Sequence, residues 1–295
     1  MISEMLQFLL TLYAKTPLGA AQRLGGFIGW IAWVFHLKER HTAEVNIALC
    51  FPDMVPQQQQ QLVKQTLLEN GKLMAELPIT WLRPFSEFES RVDVREFRRH
   101  LAEKYQQGNG LIVAVPHMGN WELGLHAVVS VGPTTVLYRP PRQQWLEEIM
   151  TQGRSANGAL LVPSTGSGIK QLVAALKRKE IIIILPDQVP KQLQNAGGIY
   201  SPFFGHKAMT MTLLSKLAAK TGAPVVLAFV KRQAQKKGFF GRILDAEPAV
   251  NDPDLEISVG ALNKTIESAV LEVPAQYQWV YRRFQGKVYK KAQND

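Results

Sequence analysis

Leu111-Ile112-Val113-Ala114-Val115-Pro116-His117-Met118-Gly119-Asn120-Trp121-Glu122 is the stretch on which the fold turns. Ahead of it, Gly108-Asn109-Gly110 is a turn signal. Residues 111–115 read as a buried strand of the parallel type, apolar without alternation because both faces are covered. After the polar cluster comes Leu123–Val129, apolar and compatible with a helix. His117 is therefore expected at the carboxyl end of a strand and just ahead of a helix, the edge at which open α/β sheets place their sites.

The chain keeps alternating beyond this point. Val136–Tyr138, Leu160–Val162, Ile181–Leu185 and Pro224–Val230 read as strands, and Trp145–Ser155, Ile169–Lys179, Met209–Thr221 and Leu255–Leu271 as helices. This rhythm predicts an α/β fold with a mixed, largely parallel central sheet flanked by helices. No repeat or flexible linker interrupts Gly108–Phe284, which reads as one domain. Upstream, Gln57–Gln61 begins an amphipathic helix through Leu77, and Arg91–Lys104 is charged and mostly helical.

The first forty residues stand apart. Thr16-Pro17 is a helix start, with Thr16 as the capping residue and proline at the first helical position. The run Leu24–Leu37 carries no formal charge. At 1.5 Å per residue it reaches roughly 21 Å, short of the ~30 Å hydrocarbon core. Extension back to Leu18 takes in Gln22 and Arg23. The expectation is a membrane-associated helix, a borderline span or one lying in the interface, with Lys38-Glu39-Arg40-His41 on the cytoplasmic side. An ordinary buried helix is the alternative. The chain thus divides into a membrane-anchoring segment, 1–40, and a catalytic domain, 41–295.

Composition narrows the class. Hydrophobic residues make up 46% of the 295 and charged residues 20%, which argues against disorder and against a polytopic membrane protein. The formal net charge of +10 points to an anionic partner: nucleic acid, an anionic membrane or an acidic protein. Nucleic acid is disfavoured, because the charge is spread out and no reading motif is present. The single cysteine, Cys50, excludes an intramolecular disulfide framework and a cysteine-based zinc cluster, and no other metal-ligand spacing occurs. No cofactor is expected.

The chemistry is expected around His117. On a continuous helix, side chains five residues apart are about 140° apart around the axis and cannot touch. His117 can pair with Glu122 only from a turn outside the helix, which Pro116 and Gly119 make plausible. A carboxylate on one ring nitrogen fixes the tautomer, and the other nitrogen is left to take a proton from a substrate hydroxyl. An alcohol attacking an acyl donor directly needs no serine or cysteine nucleophile. The alternative is a hydrogen-bonded histidine that merely closes a strand end. Tyr138-Arg139-Pro140-Pro141-Arg142, with Arg154 further on, offers guanidinium forks for phosphate. Pro186-Asp187-Gln188 closes another strand, and with Phe203-Phe204 it could line an apolar groove. Ser164-Thr165-Gly166-Ser167-Gly168 could hold a phosphate at a helix N-terminus but lacks the P-loop lysine.

His117-Met118-Gly119-Asn120-Trp121-Glu122 resembles the His-x4-Asp/Glu motif of glycerolipid acyltransferases, in the form typical of the bacterial lipid A late acyltransferases. The resemblance runs in order through Glu44–Pro52, Tyr138-Arg139-Pro140, Arg154 with Gly158, Leu185-Pro186-Asp187-Gln188, Pro202-Phe203-Phe204-Gly205 and Gln278–Phe284. It implies a glycerolipid acyltransferase-like fold in which His117 is the general base and Glu122 its partner. The base would activate the hydroxyl of a hydroxyacyl chain on a phosphorylated lipid A precursor, and the donor would be acyl–acyl carrier protein. Asn120, Arg139, Arg154, Asp187 and Gln188 would contact or orient substrate. The resemblance also implies attachment to the cytoplasmic face of the inner membrane and contact with its lipids. Two basic groups suit anionic partners: Lys231, Arg232, Lys236, Lys237 and Arg242 around Phe239-Phe240, and Arg282, Arg283, Lys287, Lys290 and Lys291. The rival readings are a phospholipid- or glycolipid-directed acyltransferase with a lysophosphatidate-type acceptor, and a non-catalytic membrane adaptor of the same fold.

Overall fold

Leu111–Ala114 and Ile181–Ile184 are buried at every position, as strands covered on both faces must be. They pair in parallel at the centre of a seven-stranded sheet in the computed structural model, which describes residues 2–156, 158–190, 197–233, 238–285 and 287–289. Lys236, Lys237, Lys290, Lys291 and the segment Lys191–Asn195 lie outside the described residues.

Four helices open the chain: α1 (Ile2–Ala14), α2 (Leu18–Val34), α3 (Lys38–Cys50) and α4 (Pro56–Leu82). There follow β1 (Val92–Asp93), α5 (Arg95–Tyr105), β2 (Leu111–Ala114), α6 (Trp121–Val129), β3 (Thr134–Tyr138), α7 (Gln144–Ser155), β4 (Leu160–Pro163), α8 (Gly166–Lys177) and β5 (Ile181–Ile184). After β6 (Gly198–Phe203) and β7 (His206–Met211) come α9 (Leu213–Thr221), β8 (Val225–Arg232), β9 (Phe239–Asp245) and α10 (Leu255–Glu272). The sheet order is β1-β9-β8-β2-β5-β3-β4. β8, β2, β5, β3 and β4 run parallel, while β9 is antiparallel to β8 and carries β1 alongside it. The chain is an α/β protein with a mostly parallel central sheet flanked by helices.

Alternate residues of the central strands feed two cores. Ile112, Ala114, Ile182, Ile184 and Leu227 pack with residues of α3, α8, α9 and α10. Leu111, Val113, Ile181, Ile183 and Val226 pack with residues of α5 and α6. The 27-residue helix α4 belongs to both, with Leu62, Val63 and Leu67 in the first core and Ala75 and Ile79 in the second. It is about 40 Å long. Within the second of these stretches Glu76 bonds Asn120, so α4 passes over the carboxyl edge of the sheet.

Four readings are corrected. Met209–Thr221 is not one helix: residues 206–211 pair with β6, and α9 starts only at Leu213. Phe204-Gly205 makes the two-residue turn of that hairpin, both with positive φ. Alanine and methionine disguised β7 as helix. The stretch around Phe239-Phe240 is strand, with Phe239 buried, and the cations of this group that are described are partnered: Arg232 with Glu76 and Glu69, Lys231 and Arg242 with Glu272. Arg283 of the second basic group is buried and bonds Met209 O and Thr210 Oγ1. α2 starts one residue later than expected, with Pro17 at the N-cap.

Among the described residues no helix is long and apolar enough to cross a membrane. Leu18, Ala21, Gly25 and Gly29 of α2 form a buried seam against α4. Backbones meet there: a Cβ on Gly25 or Gly29 would strike the carbonyl of Gly71 or Leu67, and one on Gly71 the carbonyl of Gly25. Outside the seam, Phe8, Leu12, Phe27, Ile28 and Phe35 are each more than half exposed.

Candidate active site

Parallel register builds the centre of the site. Ala114 is paired with Ile184, and three residues beyond each stand His117 and Asp187. Both segments end in the same way, Val115-Pro116-His117 and Leu185-Pro186-Asp187, so the two side chains emerge abreast. His117 Nδ1 lies 2.7 Å from Asp187 Oδ1, and the His117 backbone N–H donates to Oδ2 at 2.9 Å. The imidazole is 14% exposed and the carboxylate 2%. Burial alone would raise the Asp187 carboxyl, but the charge and hydrogen bonds of His117 outweigh it and hold the group below its ordinary value. An ionised carboxylate only accepts, so Nδ1 carries the proton and Nε2 is left as the basic nitrogen.

Glu122 is not the partner of His117. The histidine does lie outside α6, in the turn, as the helical geometry requires. Glu122 instead receives Arg154 through Nε at 2.9 Å and Nη2 at 2.5 Å, with Trp121 Nε1 on Oε1 at 3.2 Å. Its own burial favours the neutral acid, and Arg154 overrides that and keeps the carboxyl below its usual range. Arg154 is thereby committed and is not presented to a phosphate. Trp121 joins the two pairs: its ring packs edge-on to the imidazole at 4.9 Å while its N–H bonds Glu122.

The turn that carries His117 is fastened at nearly every backbone group. His117 O accepts from Gln278 N, Gly119 N donates to Gln276 O, Gly119 O accepts from Arg232 Nη2, and Asn120 N donates to Val230 O. Gly119 has φ +60, and a Cβ there would strike the Val230 carbonyl, so only glycine fits. Asn120 is fully buried, capping α6 through Oδ1 to Leu123 N and donating Nδ2 to Glu76. Both ends of its amide are used within the protein. It positions the turn rather than meeting substrate.

Glu76, unremarked in the sequence, is the hub beneath this turn. Gln22 and Arg232 Nε donate to Oε1, and Asn120 and Arg232 Nη2 to Oε2, all within 2.7–2.9 Å. Four donors on a fully buried carboxylate satisfy it completely. The available signal was a charged residue on the apolar face of α4, between Leu73 and Leu77. Gln22, the polar residue that interrupts the apolar segment, is explained by the same bond.

The other expected residues are spread along this edge. Arg139 is exposed just beyond β3, with no carboxylate at ion-pair distance among the described residues. Gln188 donates to Gln278 Oε1 at 3.1 Å, and Val189 N donates to the Tyr281 hydroxyl, so the C-terminal segment laces the loop after Asp187. Phe203 is buried core. Thr165 caps α8 with its own hydroxyl, through the Gly168 N–H. Cys50 is buried and its thiol pushed up by burial, which removes it as a nucleophile. Among the described residues no group of three His, Cys, Asp or Glu side chains could hold a metal ion.

An imidazole oriented by a buried carboxylate, opening at the carboxyl edge of a parallel sheet, can remove a proton from a hydroxyl. Known proteins resemble this chain in sequence. It is 27% identical to the lipid A biosynthesis palmitoleoyltransferase of Escherichia coli strain K12 over 280 residues, covering 93% of this chain and 88% of that protein. The lipid A biosynthesis lauroyltransferase of the same strain is 25% identical, over 93% of this chain and 88% of the relative. A lipid A biosynthesis acyltransferase of Haemophilus influenzae is 26% identical, over 92% and 84%. The sequence profile described as bacterial lipid A biosynthesis acyltransferase matches residues 3–286. The chain belongs to the bacterial lipid A biosynthesis acyltransferase family.

Proposed function

We propose that the protein transfers a fatty acyl chain to the hydroxyl of a hydroxyacyl chain on a phosphorylated lipid A precursor, with acyl–acyl carrier protein as donor. His117 Nε2 takes the hydroxyl proton as the oxygen attacks the thioester carbonyl, and the imidazolium forms against Asp187. The tetrahedral intermediate then collapses and the carbon–sulfur bond breaks. The thiolate recovers the proton from His117, giving an ester and a free carrier thiol. Asp187 fills the role expected of Glu122. Glu122 acts at one remove, fixing Trp121 against the imidazole together with Arg154. Arg139, exposed on the same edge, meets acceptor phosphate, and Gln188 shapes the opening. No acyl-enzyme is required.

The observation that carries this reading is the 2.7 Å contact between His117 Nδ1 and Asp187 at the carboxyl ends of adjacent parallel strands. Family membership supports the acyl acceptor, and the net charge of +10 suits an acidic carrier and an anionic leaflet. The exposed apolar side chains of α1 and α2 support attachment to the inner membrane at its cytoplasmic face, with residues 1–40 as the anchoring segment and 41–295 as the catalytic domain.

The test is transfer from acyl–acyl carrier protein to a lipid A precursor by wild type and His117→Ala, with mass spectrometry of lipid A from cells lacking the protein. A folded His117→Ala variant should lose transfer by orders of magnitude, and the cells should lack one acyl group. Undiminished transfer by His117→Ala rejects the base, and unchanged lipid A rejects the acceptor.

A further inference from the structure

Beside the His117 turn, on the β8 side, a cleft of about 1200 Å³ opens between α2, α4 and the 89–91 turn. Among the described residues four cations line it, Arg23, Lys72, Arg91 and Arg232, against one carboxylate, Glu69. Glu69 is already taken, bonded by Lys72 at 2.5 Å and by Arg232 at 3.3 Å. Arg232 is spent on Glu76. Arg23 and Arg91 are different. Both are exposed, they come from separate elements, and neither has a carboxylate at ion-pair distance among the described residues. Arginines elsewhere are mostly engaged, as at Arg40, Arg95, Arg99, Arg154, Arg178 and Arg242. Unpaired guanidinium groups at a concave surface focus positive potential into it and offer a fork to an anion.

Two further features specify the anion. Phe27, an exposed apolar residue of α2, stands one helical turn beyond Arg23 on the same side of the helix. An occupant that places charge among the arginines therefore meets hydrocarbon-compatible surface at once, as an amphiphile requires. The cleft also shares a wall with the catalytic turn, since Arg232 and Gln276 both line it and both bond Gly119. β8 and β3 flank β2 and β5 in the sheet, so this cleft and Arg139 lie on opposite sides of the His117–Asp187 pair.

We propose that the cleft is a phosphate subsite for the acceptor lipid, with Arg23 and Arg91 as its ligating cations, separate from Arg139. This rests on the acyl-transfer reading and adds to it where the acceptor's charged group sits. The chemistry recognised is a phosphate ester on a lipid, which either the acceptor or a bilayer phospholipid carries; the geometry beside the base commits it to the acceptor.

The experiment compares full-length wild type, the double variant Arg23→Gln/Arg91→Gln, and a charge-matched control, Arg95→Gln/Arg99→Gln, on α5. The control positions Arg95 and Arg99 lie on the outer face of α5, whose Phe97 and Leu101 are buried. Each protein is assayed with a phosphorylated lipid A precursor and with its enzymatically dephosphorylated form, in zwitterionic vesicles with and without phosphatidylglycerol. The ratio of kcat/KM for the phosphorylated over the dephosphorylated acceptor should fall about tenfold in the Arg23/Arg91 variant, in both vesicle types, and hold in the control. An unchanged ratio overturns the proposal. So does a variant that loses only binding to acceptor-free phosphatidylglycerol vesicles, which assigns the cleft to bilayer lipid. A rise in KM for the acyl donor with no change in the ratio also overturns it, and assigns the arginines to the carrier. Wild type that transfers without preferring the phosphorylated acceptor sinks the subsite alone, whereas wild type that transfers nothing sinks the acyl-transfer reading.

Discussion

His117 and Asp187 depend on charge as well as contact. In Asp187→Asn an amide oxygen can still accept from Nδ1, but nothing negative is left to stabilise the imidazolium. Transfer should fall by about 10³–10⁴-fold, as measured by steady-state kinetics on folded protein. Stability follows the direction of the carboxyl shift. Asp187 titrates lower in the folded protein than in the unfolded chain, so its contribution is present above the unfolded value and is lost as pH falls through the folded one. Denaturant melts should show Asp187→Asn less stable than wild type at pH 7, with the gap closing at strongly acid pH. Glu122 and Arg154 make a second case. Glu122→Gln leaves a buried guanidinium without its charge partner, a loss of about 3–5 kcal/mol. Adding Arg154→Met should restore part of it, whereas two independent sites would show additive losses. The sequence made the histidine and the turn legible but misassigned its carboxylate. Glu122 is near in sequence, while Asp187 is near only once β5 lies beside β2. The signal was there in two seven-residue segments, 111–117 and 181–187, each apolar up to a proline and then polar.

Elements were legible where periodicity was strong and obscure where tertiary pairing decided. The isoleucine run of β5 can be little other than a buried strand. β7 reads as helix because Ala208, Met209 and Met211 are good helix formers, and only the Phe204-Gly205 turn and its partner strand make it extended. The N-terminal helices show a similar override. Gly25, Gly29 and Gly71 look like weak points in helices, yet they let α2 and α4 touch backbone to backbone. Gly71→Ala gains up to about 1 kcal/mol of helix propensity. It also drives a Cβ into the Gly25 carbonyl, and overpacking costs about 1–3 kcal/mol even where flexible side chains can yield, which a backbone carbonyl cannot. The overpacking wins, and thermal melts should show the variant destabilised.

At the scale of the whole molecule, the N-terminal helices carry apolar side chains that none of the described residues covers. Phe8 and Leu12 sit on α1 and Phe27 and Ile28 on α2, two helices packed against α4, and Phe35 follows directly after α2. Burying a phenylalanine is worth about 1.5–3 kcal/mol, so Phe27→Ser/Phe35→Ser should weaken partition onto liposomes at least tenfold, read by cosedimentation. Unaltered partition would remove these helices from the membrane reading. The sequence showed an apolar segment too short to cross, but not that one side of it would be consumed by α4, because that depends on Gly25 and Gly29 meeting Gly71, far from them in sequence.

The equal length of the two central segments has a genetic consequence. Four consecutive isoleucines followed by a leucine make β5 tolerant of any single deletion as far as core filling goes, since isoleucine still fills three of the four places and Leu185 slides into the last. The aspartate does not share that tolerance. Sliding by one position turns it to the opposite side of the pleat, away from the imidazole. Loss of one isoleucine codon should therefore yield a protein that accumulates normally and does nothing, a null allele invisible to any screen for misfolding.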